Sequence, residues 1–315
     1  MADWFTQKAE RIASGFFQER VKSVVPIVGK GIVNQIAVVE TTGFKAVIRM
    51  NNLTAQQEYV KERWCLEQAA AAGIPGPQVL SVGAAEEHAY MIQTFVEGDN
   101  GEDTDAPKKS VWGQIGEYAK IIHKIPAAGY GEQLFDPFRG EFKAPPHEGF
   151  DGSWISFVQY NRRSLTENDR LIELGVITAS ESRKADSIFE KLQQPTAGFG
   201  LNHGDLSLKN TVVNRKNSRV FLLDWGSAEV NLVPYRDLIE LLQSIGNGRL
   251  DEPSFQAFLD GYGMSGHDFA ELQQEMKGFQ LLIAFDKLRW AIDKKADLIP
   301  SYAAYANRVA GEVLK

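Results

Sequence analysis

His203-Gly204-Asp205-Leu206-Ser207-Leu208-Lys209-Asn210, followed by Leu222-Leu223-Asp224-Trp225-Gly226, is the stretch of this 315-residue chain on which its reading turns. Between the two runs, residues 211–214 and 220–224 read as short strands around the turn-like 215–218. A hairpin of that kind brings Asn210 and Asp224 to neighbouring positions. An amide oxygen and a carboxylate are hard ligands that suit Mg²⁺, which keeps several waters and takes phosphate oxygens in the rest of its shell. Asp205, five residues before Asn210, then lies within reach of the same metal-bound phosphate, free to accept a proton from an attacking hydroxyl. The competing reading is a surface turn in which both Asp residues cap local structure.

The spacing resembles the catalytic core of protein kinases, His-Arg-Asp-x-x-x-x-Asn and then Asp-Phe-Gly. Gly204 stands in place of the Arg and Trp225 in place of the Phe. In both departures the chain is similar to the aminoglycoside phosphotransferase and choline kinase-like family of small-molecule kinases. The resemblance implies an α+β, two-lobed protein-kinase-like fold, with a small N-terminal antiparallel-sheet lobe and a larger, mainly helical C-terminal lobe. It implies Asp205 as catalytic residue, Asn210 and Asp224 as Mg²⁺ ligands, and ATP or GTP as phosphoryl donor. Loss of the Arg removes the group with which protein kinases read a phosphorylated activation loop, so control by that route is not expected. Pro234-Tyr235-Arg236-Asp237-Leu238 also resembles the family, with Asp237 in a capping role. His203 is assigned to orienting the loop, and Lys209 to neutralising the transferring phosphoryl group.

Upstream, residues 32–40 and 44–50 are apolar and β-branched around Thr41-Thr42-Gly43, a hairpin pattern. Thr54 is placed as the N-cap of a helix over 54–72, stopped by Gly73 and Pro75. Strands follow at 78–82 and 88–96. The resemblance places Arg49, at the end of the second strand, on the α- and β-phosphates, and Glu62 on the helix as its partner, with Glu58 the alternative in a shifted register. Taken alone, Arg49 and Glu62 would be an ordinary exposed ion pair worth ~0–1 kcal/mol. Gly29-Lys30-Gly31-Ile32-Val33-Asn34 is not a Walker loop. It reads equally as a hairpin turn and, by the resemblance, as the turn over the nucleotide, with Gly31 and Asn34 near the phosphates. Residues 89–98, Ala-Tyr-Met-Ile-Gln-Thr-Phe-Val-Glu-Gly, look like the family's hinge. That implies Gln93 at the back of the adenine pocket, with the Thr94 carbonyl and the Val96 N–H on the adenine edge.

The pattern changes near Glu97 and Gly98, which divides the chain into 1–97 and 98–315. Helical spacing recurs over 112–125, 153–165 and 179–192, a Gly- and Pro-rich connection fills 129–152, and helices follow Pro234. The net charge is −7, from 34 basic and 41 acidic residues, which argues against a nucleic-acid binder. Residues 1–97 hold 9 basic and 10 acidic residues, so the excess acid lies in 98–315. Glu97, Asp99, Glu102, Asp103 and Asp105 form an acidic run that is either a solvated loop or an attraction for an amine-bearing acceptor. Asp136, Glu141, Asp151 and Glu229 are further candidates on the acceptor side, and Trp154, Tyr160 and Trp290 are a stacking wall or core. The lone Cys65 forms no disulfide and reads as a buried small hydrophobe. No apolar run approaches a membrane span, and 1–17 reads as an amphipathic helix, not a signal peptide.

The reading is thus a cytoplasmic phosphotransferase acting on a hydroxyl of a small molecule, an aminoglycoside or other amine-bearing compound among the candidates. No nucleic acid, membrane or protein partner is implied. A catalytically inactive nucleotide-binding pseudokinase and a metal-dependent phosphohydrolase are the alternatives.

Overall fold

The structure is a computed structural model that describes residues 2–27 and 34–315. The expected phosphate contact at Gly31, with most of its turn, lies outside the described residues. Helix α1 (Ala2–Phe17) leads into a five-stranded antiparallel sheet: β1 (Ser23–Ile27), β2 (Gln35–Glu40), β3 (Lys45–Asn52), β4 (Val79–Ala85) and β5 (His88–Thr94), ordered β1-β2-β3-β5-β4. Helix α2 (Gln56–Ala71) is inserted between β3 and β4.

The two-residue period of β3 does the sorting. Ala46, Ile48 and Met50 face α1, where Phe5, Ala9 and Ala13 close the first core; the small side chains at 9 and 13 let helix and sheet approach. Arg49, one residue out of phase, is thereby sent to the opposite face. There α2 lays Tyr59 against Ala89 and Met91. Its other side sends Trp64, Cys65, Leu66 and Ala69 into the large second core. Buried on two sides, α2 has no single apolar stripe. Burial pushes the Cys65 thiol up to about 12, leaving an inert thiol.

The chain continues through β6 (Asp99–Asn100), α3 (Lys108–Ile122), β7 (Ala128–Tyr130), β8 (Gln133–Asp136), β9 (Glu141–Lys143), α4 (Trp154–Arg163), α5 (Arg170–Glu173) and α6 (Ala179–Leu192). Then come β10 (Phe199–Asn202), β11 (Thr211–Val213), β12 (Val220–Leu222), β13 (Glu229–Leu232), α7 (Tyr235–Gly246), α8 (Glu252–Tyr262), α9 (Gly266–Lys294) and α10 (Ile299–Val313). Small sheets β12-β11-β6 and β10-β13 support the loops of the site. The fold is the α+β, two-lobed arrangement expected, an antiparallel sheet followed by a mainly helical body.

Several local expectations shift. Asn52, not Thr54, caps: its side chain accepts from the Thr54 N–H and opens a short 3₁₀ turn before α2. Strand β5 stops at Thr94 instead of 96. The connection 129–152 contains β7, β8 and β9, strands too short to show a period. Edge strand β1 was absent from the expectation because it is half exposed and contains Pro26. No described helix is long and apolar enough to cross a membrane.

Candidate active site

In the β11–β12 hairpin Thr211 faces Leu222 and Val213 faces Val220. One step further the Leu223 N–H donates to the Asn210 carbonyl at 2.9 Å. Asn210 and Asp224 therefore sit side by side at the open end. The Asn210 Nδ2 donates to the Asp205 carbonyl and to Asp205 Oδ2, both at 2.9 Å, which leaves its own oxygen for a ligand. Lys209 Nζ also lies 3.0 Å from Asp205 Oδ2. Among the described residues no protein group bonds Asp205 Oδ1.

Asp224 leaves the strand in the left-handed region, φ 54° and ψ 73°. For a residue with a Cβ this costs roughly 1–2 kcal/mol, and it turns the half-exposed carboxylate off the hairpin. Its Oδ1 accepts from Arg49 Nη2 at 3.1 Å. Arg49 Nη1 donates to Glu62. Glu58 is exposed. Burial raises the Glu62 pKa against the opposing pull of Arg49. Burial works against the Arg49 charge, but Glu62 and Asp224 outweigh it and hold the guanidinium ionised. Arg49 Nε is buried without a partner. Such an orphaned donor is costly.

His203 is buried, and burial lowers its pKa, so the ring is neutral. Its Nε2 bonds the Leu223 carbonyl at 3.1 Å and its Nδ1 accepts from the Asp205 N–H. The ring thus ties the Asp205 loop to the strand that carries Asp224. Asp237 accepts from the N–H groups of His203 (3.1 Å) and Gly204 (2.8 Å), and its Oδ2 lies 3.0 Å from His123 Nε2.

Gly204 has φ +78°, and a Cβ there would lie 2.2 Å from the Ser227 carbonyl oxygen. The Arg of the protein-kinase pattern has no room here. Gly204→Ala is expected to lower stability by more than the ~1–2 kcal/mol of a left-handed non-glycine residue, because the clash adds to it. Urea denaturation measures the loss, and a change under ~0.5 kcal/mol, the size of a featureless surface substitution, would refute this account of the glycine.

The other expected positions are dispersed around this centre. The Asn34 side-chain oxygen, Oδ1, accepts from Tyr59 Oη (2.9 Å) and Asn51 Nδ2 (3.1 Å). Thr94 ends β5, with its N–H on the Gln78 carbonyl and its hydroxyl on the Gln78 N–H; Val96 lies in the connection that follows. Gln93 faces the same side as its cross-strand neighbour Val47, and its Oε1 is buried and unpartnered. Gly98, with φ +153°, brings the connection against the second body, where a Cβ would meet the Val213 carbonyl oxygen at 2.3 Å.

The acidic run is partly engaged: Asp99 forks onto Arg215, and Glu97 pairs with Lys45 at 3.2 Å. Asp136 caps the turn to Phe138 and Arg139, Glu141 pairs with Lys143, and Asp151 caps toward Ser153. Glu229 stands opposite Asn202, just before the His203–Asn210 loop, and pairs with Arg236. Trp154 is core, with its indole N–H on the Leu192 carbonyl, while Trp290 is exposed on α9, so they form no common wall. Glu132, whose pKa burial and Glu229 both raise, and the buried Lys61 were not singled out in the sequence. Neither carries a periodic or motif signal.

Among the described residues no group of three or more His, Cys, Asp and Glu could hold a metal. Asn210 with Asp224 is a two-ligand oxygen set, the kind that suits Mg²⁺ shared with phosphates.

The profile of the phosphotransferase enzyme family matches residues 24–274. No curated protein matches the sequence. Among solved structures, the aminoglycoside phosphotransferase APH(4)-Ia is similar at TM-score 0.69 and 16% identity, over 97% of this chain and 98% of that one. A putative fructosamine-3-kinase from Haemophilus somnus 129PT gives TM-score 0.60 and 14% identity over 99% and 98%. The spectinomycin phosphotransferase APH(9)-Ia, solved with ADP and spectinomycin, gives 0.58 and 13% over 98% of each.

Proposed function

The chain belongs to the phosphotransferase enzyme family, and on that premise we propose that it moves the γ-phosphoryl group of ATP or GTP to a hydroxyl of a small molecule, an aminoglycoside or other amine-bearing compound among the candidates. The observation that carries the reading is the contact of Asp224 with Arg49, 175 residues away in sequence, beside an Asn210 whose side chain also grips Asp205. In this reading Asp205 Oδ1 orients the acceptor hydroxyl and takes its proton as the new O–P bond forms. Arg49, braced by Glu62, anchors the α- and β-phosphates. Gly31 and Asn34 lie over the phosphates, and the Thr94 carbonyl and Val96 N–H take the adenine edge. Asn210 and Asp224 would hold Mg²⁺, which when bound neutralises the phosphate charge. Lys209 adds a cation beside Asp205. The protein's contribution is positioning and electrostatics rather than covalent chemistry.

The division at 97/98 puts the donor in the first unit and the acceptor, with most of the excess acid, in the second. That charge and the aminoglycoside-named structural relatives support an amine-bearing acceptor. A cytoplasmic site of action supplies ATP.

The test is release of ADP from ATP, or of GDP from GTP, with Mg²⁺ across a panel of hydroxyl acceptors. Acceptor-dependent turnover that falls by at least ~10²-fold in Asp224→Ala is the expected result. Phosphate release without ATP would indicate a phosphohydrolase instead, and Mg²⁺-dependent nucleotide binding with no turnover on any acceptor would indicate a pseudokinase.

A further inference from the structure

Lys61 has no part in the reaction scheme above, yet it is 4% exposed and reaches far across the chain. Its ammonium donates to the Gly226 carbonyl at 2.7 Å and to the Ala228 carbonyl at 3.0 Å. An ammonium taken out of water costs several kcal/mol unless its protons find acceptors. An apolar chain of similar length, such as Met, would fill the same space without that cost. The next residue, Glu62, holds Arg49, whose Nη2 donates to Asp224 Oδ1 at 3.1 Å. Lys61 therefore holds the segment 224–228 at two backbone points, and Glu62 braces it through Arg49.

The helix that does the holding is itself anchored. Trp64, Cys65, Leu66 and Ala69 are buried in the second core, and Trp64 Nε1 donates to the Pro137 carbonyl at 3.0 Å. The segment that is held includes Asp224 in its left-handed conformation, which an unrestrained loop would tend to leave.

We propose that Lys61 is a positioning residue that fixes the loop 224–228, and with it the Asp224 carboxylate, in the metal-binding arrangement before nucleotide arrives. It makes permanent an arrangement that protein kinases reach through a switchable loop. The proposal rests on Asp224 being a metal ligand. Loss of Lys61 leaves two inward carbonyls without donors, the loop relaxes, and the metal is held more weakly while the nucleotide's other contacts persist.

The test titrates AMP-PNP binding over a range of Mg²⁺ concentrations and again in EDTA, for wild type, Lys61→Met and Lys61→Gln. Lys61→Met should raise the Mg²⁺ concentration for half-maximal nucleotide binding by about 10–100-fold, the range typical of lost supporting contacts. Affinity in EDTA should stay unchanged, and Lys61→Gln, which keeps a donor, should fall between. An unchanged Mg²⁺ midpoint in Lys61→Met, with or without a lower Tm, overturns the proposal, because a merely structural lysine moves stability alone. Should neither variant fold, hydrogen exchange on the wild type decides: slow exchange without nucleotide at Ala228, whose N–H donates to the Trp225 carbonyl within the held loop, supports the proposal, and fast exchange overturns it. A wild type that shows no Mg²⁺-dependent nucleotide binding at all overturns the phosphotransfer reading, and this proposal with it.

Discussion

Asp205→Asn should leave the protein folded and able to bind Mg²⁺ and ATP, and should lower kcat by about 10²–10⁴-fold, the range for removing a positioned proton acceptor. The structure gives reasons for both halves. The Asp205 carboxylate is one-third exposed, and its salt-bridge partner Lys209 is more exposed still, so the pair contributes little to stability. An amide oxygen in the place of Oδ2 can still accept from Asn210 Nδ2, which keeps the loop closed. The substitution removes the ability to take a proton at Oδ1, the oxygen that Asn210 and Lys209 leave free. If the transferring phosphoryl is metaphosphate-like, proton removal lags behind bond formation and the loss lies toward the lower end of the range. Steady-state ADP release with an accepted substrate gives kcat, and equilibrium titration gives nucleotide affinity. A kcat within a few-fold of wild type would leave Asp205 with no catalytic role.

The centre of this site was legible because its parts are close in sequence and strict in type. Asp205 and Asn210 precede one hairpin and Asp224 follows it, so the strand pairing sets Asn210 beside Asp224 and a local turn sets it against Asp205. Arg49 with Glu62 was legible only through resemblance, since a strand residue and a helix residue thirteen positions apart carry no local pairing signal. Their burial was not legible at all: read alone they would be an exposed pair, whereas the period of β3 and the double-sided packing of α2 enclose them. Lys61 escaped for a related reason. Its neighbours Cys65 and Leu66 pack inward, and a lysine on such a helix ordinarily points to water. Only the three-dimensional approach of residues 226–228 supplies its acceptors. The glycine at 204 was visible as a departure from a pattern, but its cause, the Ser227 carbonyl, lies on a different loop. Short strands such as β7 and β9 offer three residues each, too few for a period to emerge.

Arg49→Met should cost about 3–5 kcal/mol of stability, because it strands a buried carboxylate. Glu62 is 1% exposed, and after the substitution the guanidinium that pairs with it is gone. The double variant Arg49→Met/Glu62→Met should recover most of that loss, since replacing both partners of a buried pair by apolar groups is often nearly neutral. The pH dependence has a definite sign. Burial already raises the Glu62 pKa, and removing Arg49 removes the main force opposing it. The folded-state value then lies well above the unfolded value of about 4.3, so between the two the folded state binds more protons. Stability therefore falls as pH rises through that window, and the deficit of Arg49→Met is smallest at the acidic end. Urea denaturation at pH 5 and pH 7.5 reads this directly: the gap between wild type and Arg49→Met should widen at the higher pH. The same comparison for the double variant should show no widening, because no carboxylate is left to ionise. A gap that is independent of pH, or a double variant that loses as much as the two single changes added together, would mean that Arg49 and Glu62 are not coupled and that Arg49 stabilises the sheet by packing alone.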